Sequence, residues 1–418
     1  MRRILEPVMA FFAQRIVAKY HPIVIGITGS VGKTSTRAAV FAVVSQKYRA
    51  YTPPKNLNDK LGLPLGIIGM DSPGKSVWGW VRVFGRAFGL LMFQRKYPEI
   101  LVLEYGIDRV GEMDELLAIA RPDIGILTSI GLSHYEFFED VETIAREKSK
   151  LIAAVPEMGT VILNADNEVV LAQQAKVRTR VLQYGTNGEV RASDISEELS
   201  DHPQLSYTAH TPTRELRVVL GALGAAHHSG SLAAVAVGEA LEIETDLIQK
   251  GLQAYKPVPG RLNVIGALRR SVLIDDTYNA SPDSMHEALQ LFARFPGEHK
   301  IAVLGDMLEL GAVSDEAHEA VGAEVARIAP THLVTVGAGG KIIAEAAISA
   351  GYPEERVISF DASTEAQLPV QELMRPGSVV VVKGSQGMRM ERISKEIMAE
   401  PMRARELLCR QYGTWLNT

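Results

Sequence analysis

The chain has 418 residues, enough for two or three domains with real cores, and its 46 % apolar and 22 % charged content is ordinary for a globular protein. A net charge of −5 gives no reason to expect nucleic acid as a partner. Cys409 is the only cysteine, which excludes an intramolecular disulfide and a cysteine-held metal cluster and fits a reducing, cytoplasmic compartment.

The first twenty residues, MRRILEPVMAFFAQRIVAKY, place Arg2 and Arg3 ahead of apolar residues. The apolar run from Val8 to Phe12 is too short for a signal peptide or a membrane span. Ile4, Leu5, Val8, Phe12 and Ile16 fall near helical spacing, so residues 1–20 are expected to form an amphipathic helix, packed on the protein or lying on a membrane.

Pro22 to Thr36, PIVIGITGSVGKTST, reads as strand, glycine loop and helix. Ile23, Val24, Ile25 and Ile27 favour a strand, Gly29, Ser30 and Gly32 break it, and Lys33, Thr34 and Ser35 open a helix. Such a loop closes backbone N–H groups on phosphate oxygens at a helix N-terminus. Lys33 can reach the β- and γ-phosphates, and the Thr34 hydroxyl suits Mg²⁺. Thr28, Gly29, Ser30, Val31, Gly32, Lys33, Thr34 and Ser35 are therefore candidate nucleotide-binding residues. The strict G-x-x-x-x-G-K pattern wants glycine where Ile27 stands, so this is a variant loop, with glycines at 26, 29 and 32.

NLNDKLGLPLGIIG then reads as a loop entering a buried segment, with Asn56, Asn58 and Asp59 either near the phosphate site or serving turn chemistry. Residues 73–97, PGKSVWGWVRVFGRAFGLLMFQRKY, mix Lys75, Arg82, Arg86, Arg95 and Lys96 with aromatic residues and contain no acid. That composition suits an anionic membrane interface, or a helical excursion packed against the core or a partner chain. Arg86 inside the apolar run argues against a spanning helix.

From Glu99 the α/β rhythm resumes. ILVLEYG predicts a buried strand ending in Glu104, GEMDELLAIA a helix, and DIGILTSIG a strand with His134 just beyond it. A carboxylate and an imidazole at strand C-termini sit where doubly wound sheets place ligands, and beside a phosphate loop they point to metal ligation. DVETIAREKSKLI predicts a helix whose Arg146, Glu147, Lys148 and Lys150 read, on spacing alone, as a solvated face. TVILNADNE predicts a strand and turn, and residues 170–220 short strands.

GALGAAHHSGSLAAVAVGEAL enters another helix; its adjacent His227 and His228 point to different sides, against a dihistidine metal site. Pro257, Pro259 and Gly260 make a stiff linker, dividing a central domain, 21–256, from a second one, 257–418. Strands SVLIDD, KIAVLGD, HLVTVG, RVISF and SVVVVKG alternate there with helices, which predicts a parallel sheet covered on both faces. Asp275, Asp276, Asp306, Lys383 and Ser385 fall at strand C-termini and make that edge polar. The fold class is α/β, a central P-loop ATPase domain with a parallel sheet plus a Rossmann-like C-terminal α/β domain.

The variant loop GITGSVGKTS resembles that of the Mur ligase superfamily, ATP-dependent peptide ligases of peptidoglycan synthesis together with folylpolyglutamate synthase. IDDTYNASPDSM, VLGDMLELGAVSDEAHEAVG and VVKGSQGMRME look most like the branch that adds D-alanyl-D-alanine. With NLNDKLGLPL, LEYG and SHYEFFEDVETIAREKSKL, the resemblance covers residues 20 to 395.

The resemblance implies that ATP phosphorylates a substrate carboxylate and that an amine attacks the acyl phosphate, releasing phosphate as the amide forms. It implies Lys33, His134 and Lys148 as catalytic residues, with Thr34 and Glu104 on one Mg²⁺, and His134 and a carbamoylated Lys148 on a second. Arg261, Asp275, Tyr278 and Asn279 match residues that grip ATP when the domains close, and Asn58, Lys383 and Ser385 would face substrate. The implied partners are a muropeptide precursor and an amino acid or dipeptide. The chain would work as a monomer, in the cytoplasm or peripherally on the inner face of the plasma membrane through 73–97.

Departures from the family pattern are Lys150 in place of an acid, Ser231 near where an adenine-side asparagine is usual, and Asp59 in the NLNN-type loop. The family's UDP-sugar-binding domain, roughly a hundred residues ahead of the loop, is expected to be missing, with the precursor delivered otherwise. Two alternatives stay open: a polyglutamate or other amino-acid ligase of the superfamily, and a nucleotide-binding, catalytically silent partner of a cell-wall enzyme.

Overall fold

The computed structural model of the protein describes residues 2–54, 56–131, 138 and 140–416. The chain starts in α1 (Arg2–Tyr20), which docks through buried Met9, Ala13 and Ile16 and leaves Val8 and Phe11 exposed. The central sheet follows, built from β1 (Ile23–Thr28), β2 (Ala50–Tyr51), β3 (Ile100–Glu104), β4 (Ile124–Leu127), β5 (Thr160–Asn164) and β6 (Arg180–Tyr184). Its order is β2-β3-β1-β4-β5-β6, and every pairing is parallel. The helices between them are α2 (Lys33–Val44), α3 (Gly62–Ile68), α4 (Val77–Met92), α5 (Glu112–Ile119), α6 (Val141–Ala153) and α7 (Glu168–Ala172).

Helices on both faces explain why β1 and β3 are continuous apolar runs rather than alternating ones. In this order the connection after β1 runs to β2 on one side while that after its neighbour β4 runs to β5 on the other, and a crevice opens at the C-terminal ends of the two strands, just where the glycine loop begins.

The basic aromatic stretch forms α4, N-capped by Ser76, whose hydroxyl accepts from Gly79 N–H at 3.1 Å. Its C-terminal carbonyls are held from α1. Lys19 Nζ donates to the carbonyls of Leu90 (2.9 Å), Leu91 (2.9 Å) and Phe93 (3.0 Å), and the Tyr20 ring stacks on Tyr97 at 4.6 Å. Trp80, Val83, Ala87 and Leu90 are buried beneath it.

Residues 170–220 do contain short strands: β7 (Arg191–Glu198), β8 (Gln204–His210) and β9 (Glu215–Leu220) form a separate antiparallel sheet. Leu205, Tyr207, Ala209, Leu216, Val218 and Leu220 alternate inward, as one covered face requires. Next, α8 (Ala225–Ala240) packs closely on α2; a Cβ on Gly230 would stand 3.1 Å from the Thr36 nitrogen. After α9 (Thr245–Gln253), residues 254–262 cross to the second sheet.

That sheet comprises β10 (Asn263–Ala267), β11 (Ser271–Asp276), β12 (Lys300–Gly305), β13 (His332–Val336), β14 (Val357–Phe360) and β15 (Val379–Lys383), in the order β10-β11-β15-β12-β13-β14. Its helices are α10 (Pro282–Arg294), α11 (Ser314–Ile328), α12 (Ala338–Ser349), α13 (Ser363–Leu373) and α14 (Glu391–Ile397). The sheet is parallel except for β10, an antiparallel edge strand that the glycine- and proline-rich approach hides in the sequence.

Side-chain alternation along β11 corrects the expectation for Asp275. It faces the interior of the second domain, fully buried, where Oδ1 accepts from the hydroxyls of Ser394 (2.7 Å) and Thr277 (2.9 Å) and Oδ2 has no partner. Burial pushes its pKa up to about 7. Below about pH 4 the group is protonated folded or unfolded; between pH 4 and 7 only the unfolded chain ionises, so stability falls as pH rises through that window. Urea unfolding is expected to show a loss between pH 4 and 8 to which Asp275 contributes up to roughly 4 kcal/mol, so that Asp275→Asn makes the loss smaller; an unchanged slope in the variant would contradict it.

Candidate active site

The glycine loop is threaded against the end of β4. Ser30 N–H donates to the Ser129 carbonyl (2.8 Å), Val31 N–H to the Ser129 hydroxyl (2.8 Å), and the Thr128 hydroxyl to the Val31 carbonyl (2.7 Å). Gly29, at φ 152°, leaves no room for a side chain: a Cβ would lie 2.0 Å from Thr128 Oγ1. Ile27, where the strict pattern wants glycine, is a β1 residue in register with Glu104. The variant spacing thus lets the strand run on before the loop turns. Gly32, at φ 85°, starts α2, and no side chain caps that helix, so its positive end faces the cleft.

Two lysines converge on one carbonyl. Lys33 Nζ donates to Gly29 O (2.7 Å) and Ser30 O (3.1 Å), and Lys148 Nζ reaches the same Gly29 oxygen at 3.0 Å. Burial, and then the neighbouring Lys33 charge, lower the Lys148 pKa well below the usual lysine value. Burial also lowers that of Lys33, against the attraction of Glu104. The solvated-face reading of α6 fails at these positions: Glu147 and Lys148 are buried, and only the flanking side chains reach water. Lys150 pairs with Glu147 (2.5 Å) and Asp114 (2.7 Å).

Glu104, buried at the end of β3, is the electrostatic centre of this wall. It accepts from Thr34 Oγ1 (3.1 Å) and Asn58 Nδ2 (3.3 Å) and lies 3.9 Å from Arg37 Nε. In the amide orientation that satisfies its neighbours, Asn56 donates to Glu104 Oε1 (3.2 Å) and accepts from the Tyr278 hydroxyl (3.1 Å), which ties the two domains together. Asp59 serves turn chemistry, accepting from Gly62 N–H at 2.6 Å ahead of α3. Thr28, expected at the nucleotide, instead lies beneath the loop and donates to the Tyr105 carbonyl at 2.8 Å. His134 lies outside the described residues.

The second domain supplies the facing wall. The Arg261 guanidinium lies over the Tyr278 ring at 4.0 Å, and Arg410 lies over the same ring at 5.2 Å while donating to the carbonyls of Thr277 (2.9 Å) and Tyr278. Lys383 is buried: Nζ pairs with Asp276 Oδ2 at 2.6 Å and donates to the Asn279 carbonyl at 2.9 Å. Ser385 is likewise buried, accepting from Leu308 N–H at 2.8 Å, and Asn279 Oδ1 accepts from Gln386 N–H at 3.4 Å.

Between the walls lies a cleft of about 1230 Å³, lined by Lys33, Glu104, Lys148, Arg261, Asn279 and Ser385 among others. A second hollow of about 390 Å³ opens beside the loop at Gly32, Asn164, Asn167, His228 and Ser229. A small gap of about 50 Å³, bordered by Ser35, Arg261, Asp276, Glu287 and Lys383, also abuts the loop. Glu287 is raised to about 7 by burial, with Asp276 adding to the rise.

Sequence reasoning missed Asn56 as a bridge between domains, Glu287 on α10, and Arg410. Arg410 lies beyond the last readable motif and is placed only by tertiary packing of the tail.

Thr34 and Glu104 offer a hydroxyl and a buried carboxylate side by side, which fits Mg²⁺, an ion that takes one or two protein oxygens and completes its shell with phosphate and water. Among the described residues no cluster of three or more His, Cys, Asp or Glu side chains is assembled to hold a metal without such help.

Residues 27–238 match the Mur ligase middle domain, and residues 260–386 match the Mur ligase glutamate ligase domain. A UDP-N-acetylmuramoyl-tripeptide–D-alanyl-D-alanine ligase of Bacillus subtilis is 31 % identical over 381 residues, covering 91 % of this chain and 76 % of the relative. The structure is similar to MurF from Acinetobacter baumannii, with a TM-score of 0.78, 27 % identity, and 95 % and 80 % of the two chains covered. It is also similar to a MurF ligase from Thermotoga maritima in complex with ADP, with a TM-score of 0.78, 25 % identity and 96 % and 84 % coverage. The chain belongs to the Mur ligase family.

Proposed function

We propose that this chain is an ATP-dependent amide ligase of cell-wall precursor synthesis, joining D-alanyl-D-alanine or a similar amine to a muropeptide carboxylate through an acyl phosphate. The observation that carries this reading is the single cleft with the phosphate loop and Glu104 on one wall and Arg261, Tyr278, Asn279 and Ser385 on the other. A reaction that must hold a polyphosphate, a carboxylate and an amine together needs positioning and charge neutralisation more than a nucleophilic side chain.

The adenine end of ATP fits the hollow beside Gly32, and the phosphates fit the open end of α2. Mg²⁺ would be held by Thr34 and Glu104 and would offset charge on the transferring phosphoryl group. Asn58 and Asn56 keep the Glu104 carboxylate oriented, and Arg261, stacked on Tyr278, presents a cation from the second domain. Lys383 acts as a positioning residue: paired with Asp276, it fixes the Asn279 carbonyl and hence the loop that carries Asn279. The protein works as a monomer, peripherally on the inner face of the membrane through 73–97.

Lys148 carries a carbamate in the working enzyme, which would hold a second Mg²⁺ together with His134. Burial beside Lys33 supports this reading, because it favours the neutral amine, the form that adds to CO₂ to give N–COO⁻ and a released proton. The product keeps one N–H for the Gly29 carbonyl and turns a repulsion with Lys33 into an attraction.

Mass spectrometry of reactions containing ATP, Mg²⁺, D-alanyl-D-alanine and muropeptides, UDP-linked or lipid-linked, is expected to show an acceptor heavier by the dipeptide less one water. Glutamate addition in its place would favour the polyglutamate reading. Depleting CO₂ and bicarbonate is expected to slow phosphate release, with Lys148→Ala slower by on the order of a hundredfold and indifferent to bicarbonate. A Lys148→Ala enzyme that consumes ATP at the normal rate would refute the carbamate.

A further inference from the structure

An apolar helix face belongs against a core, yet α4 carries apolar residues on a covered side and on an uncovered one. Trp80, Val83, Ala87 and Leu90 face inward. On the opposite side Val77, Trp78, Val81, Phe88 and Met92 form one stripe, each between 53 and 79 % exposed, and Phe93 continues it. Phe11 and Val8 of the neighbouring α1 add to the patch. This is a built surface, because Ser76 caps one end of α4, Lys19 ties down the other, and the Phe12 and Phe84 rings meet at 6.1 Å between the helices.

From residue 72 to 98 every charge is basic. Lys75, Arg82, Arg95 and Lys96 are exposed along α4 and its ends, Arg15 lies over the Phe11 ring on α1, and no acid occurs from 72 to 98. A second copy of the chain would bring like charges together across a two-fold interface. An anionic bilayer instead complements the cations and accepts the aromatic side chains at headgroup depth. No helix among the described residues is long and apolar enough to cross a membrane, so the contact lies along the surface.

We infer that the outer face of α4, with Phe11 of α1, is a preformed docking face for an anionic lipid surface, with Trp78 and Phe88 inserted and Lys75, Arg82, Arg95 and Lys96 on the headgroups. It names the membrane partner of the ligase reading but does not rest on it, since lipid binding needs no substrate.

Flotation of the full chain with vesicles of phosphatidylglycerol and phosphatidylethanolamine in equal parts is expected to carry the protein upward at low salt. Pure phosphatidylcholine vesicles, or high salt, should carry much less. Trp78→Ala with Phe88→Ala, and separately Lys75→Glu with Arg82→Glu, are expected to cut the bound fraction about tenfold while leaving ATP hydrolysis without vesicles unchanged. The inference is overturned if the wild-type chain stays at the bottom of the gradient, or if both double variants float as it does. A dimer in light scattering that Trp78→Ala with Phe88→Ala dissolves would also overturn it, in favour of a second copy on this face.

Discussion

The carbonyl oxygen of Gly29 is the point on which the site turns. A glycine is required there because Thr128 presses against the loop, and the resulting bend presents one carbonyl to both Lys33 and Lys148. Two buried cations on one acceptor repel each other, and the arrangement holds because the surrounding loop, β4 and α6 fix both backbones. Burial, and then this repulsion, lower the Lys148 pKa well below the usual lysine value. The same loop geometry leaves the start of α2 uncapped, so a helix dipole, an ammonium and a buried carboxylate all look into one cleft.

The second domain completes the site through backbone placement as much as through side chains. Arg410, buried, pins the carbonyls of Thr277 and Tyr278, while Lys383, paired with Asp276, pins that of Asn279. Consecutive peptide units are thus held from opposite sides of the sheet, which sets the angle at which Tyr278 meets Arg261 and Asn56. Removing Lys383 would leave the buried Asp276 carboxylate without its cation, and removing Arg410 would leave buried Glu391 to Arg389 alone; a buried charge that loses its partner costs more than an exposed ion pair contributes.

The ATP-dependent ligase chemistry of the family thus rests here on charges whose partners come from distant parts of the chain. Thr34 and Glu104 are 70 residues apart, and Lys148 is 119 residues from Gly29. The parallel order of the central sheet brings them together, since β1 and β3 are neighbours that end at the same edge.

The amino-acid sequence by itself determined the strand, loop and helix around Gly29, the alternating strands and helices of both sheets, the position of Glu104 at a strand end, and the family. Those features depend on local backbone preference, on side-chain period, and on glycines needed where the chain turns. Only the tertiary structure decided which side of each element is covered. Period two places Asp275 and Asp276 on opposite faces of β11 but does not say which face meets the cleft. A charge run on α6 looks solvated until β1 and its loop are laid over Lys148, and α4 looks amphipathic in composition although its apolar residues occupy both faces. Local sequence fixes the direction of a side chain relative to its own element; burial, and with it the charge state of Lys148 and Asp275, depends on neighbours that are far away along the chain.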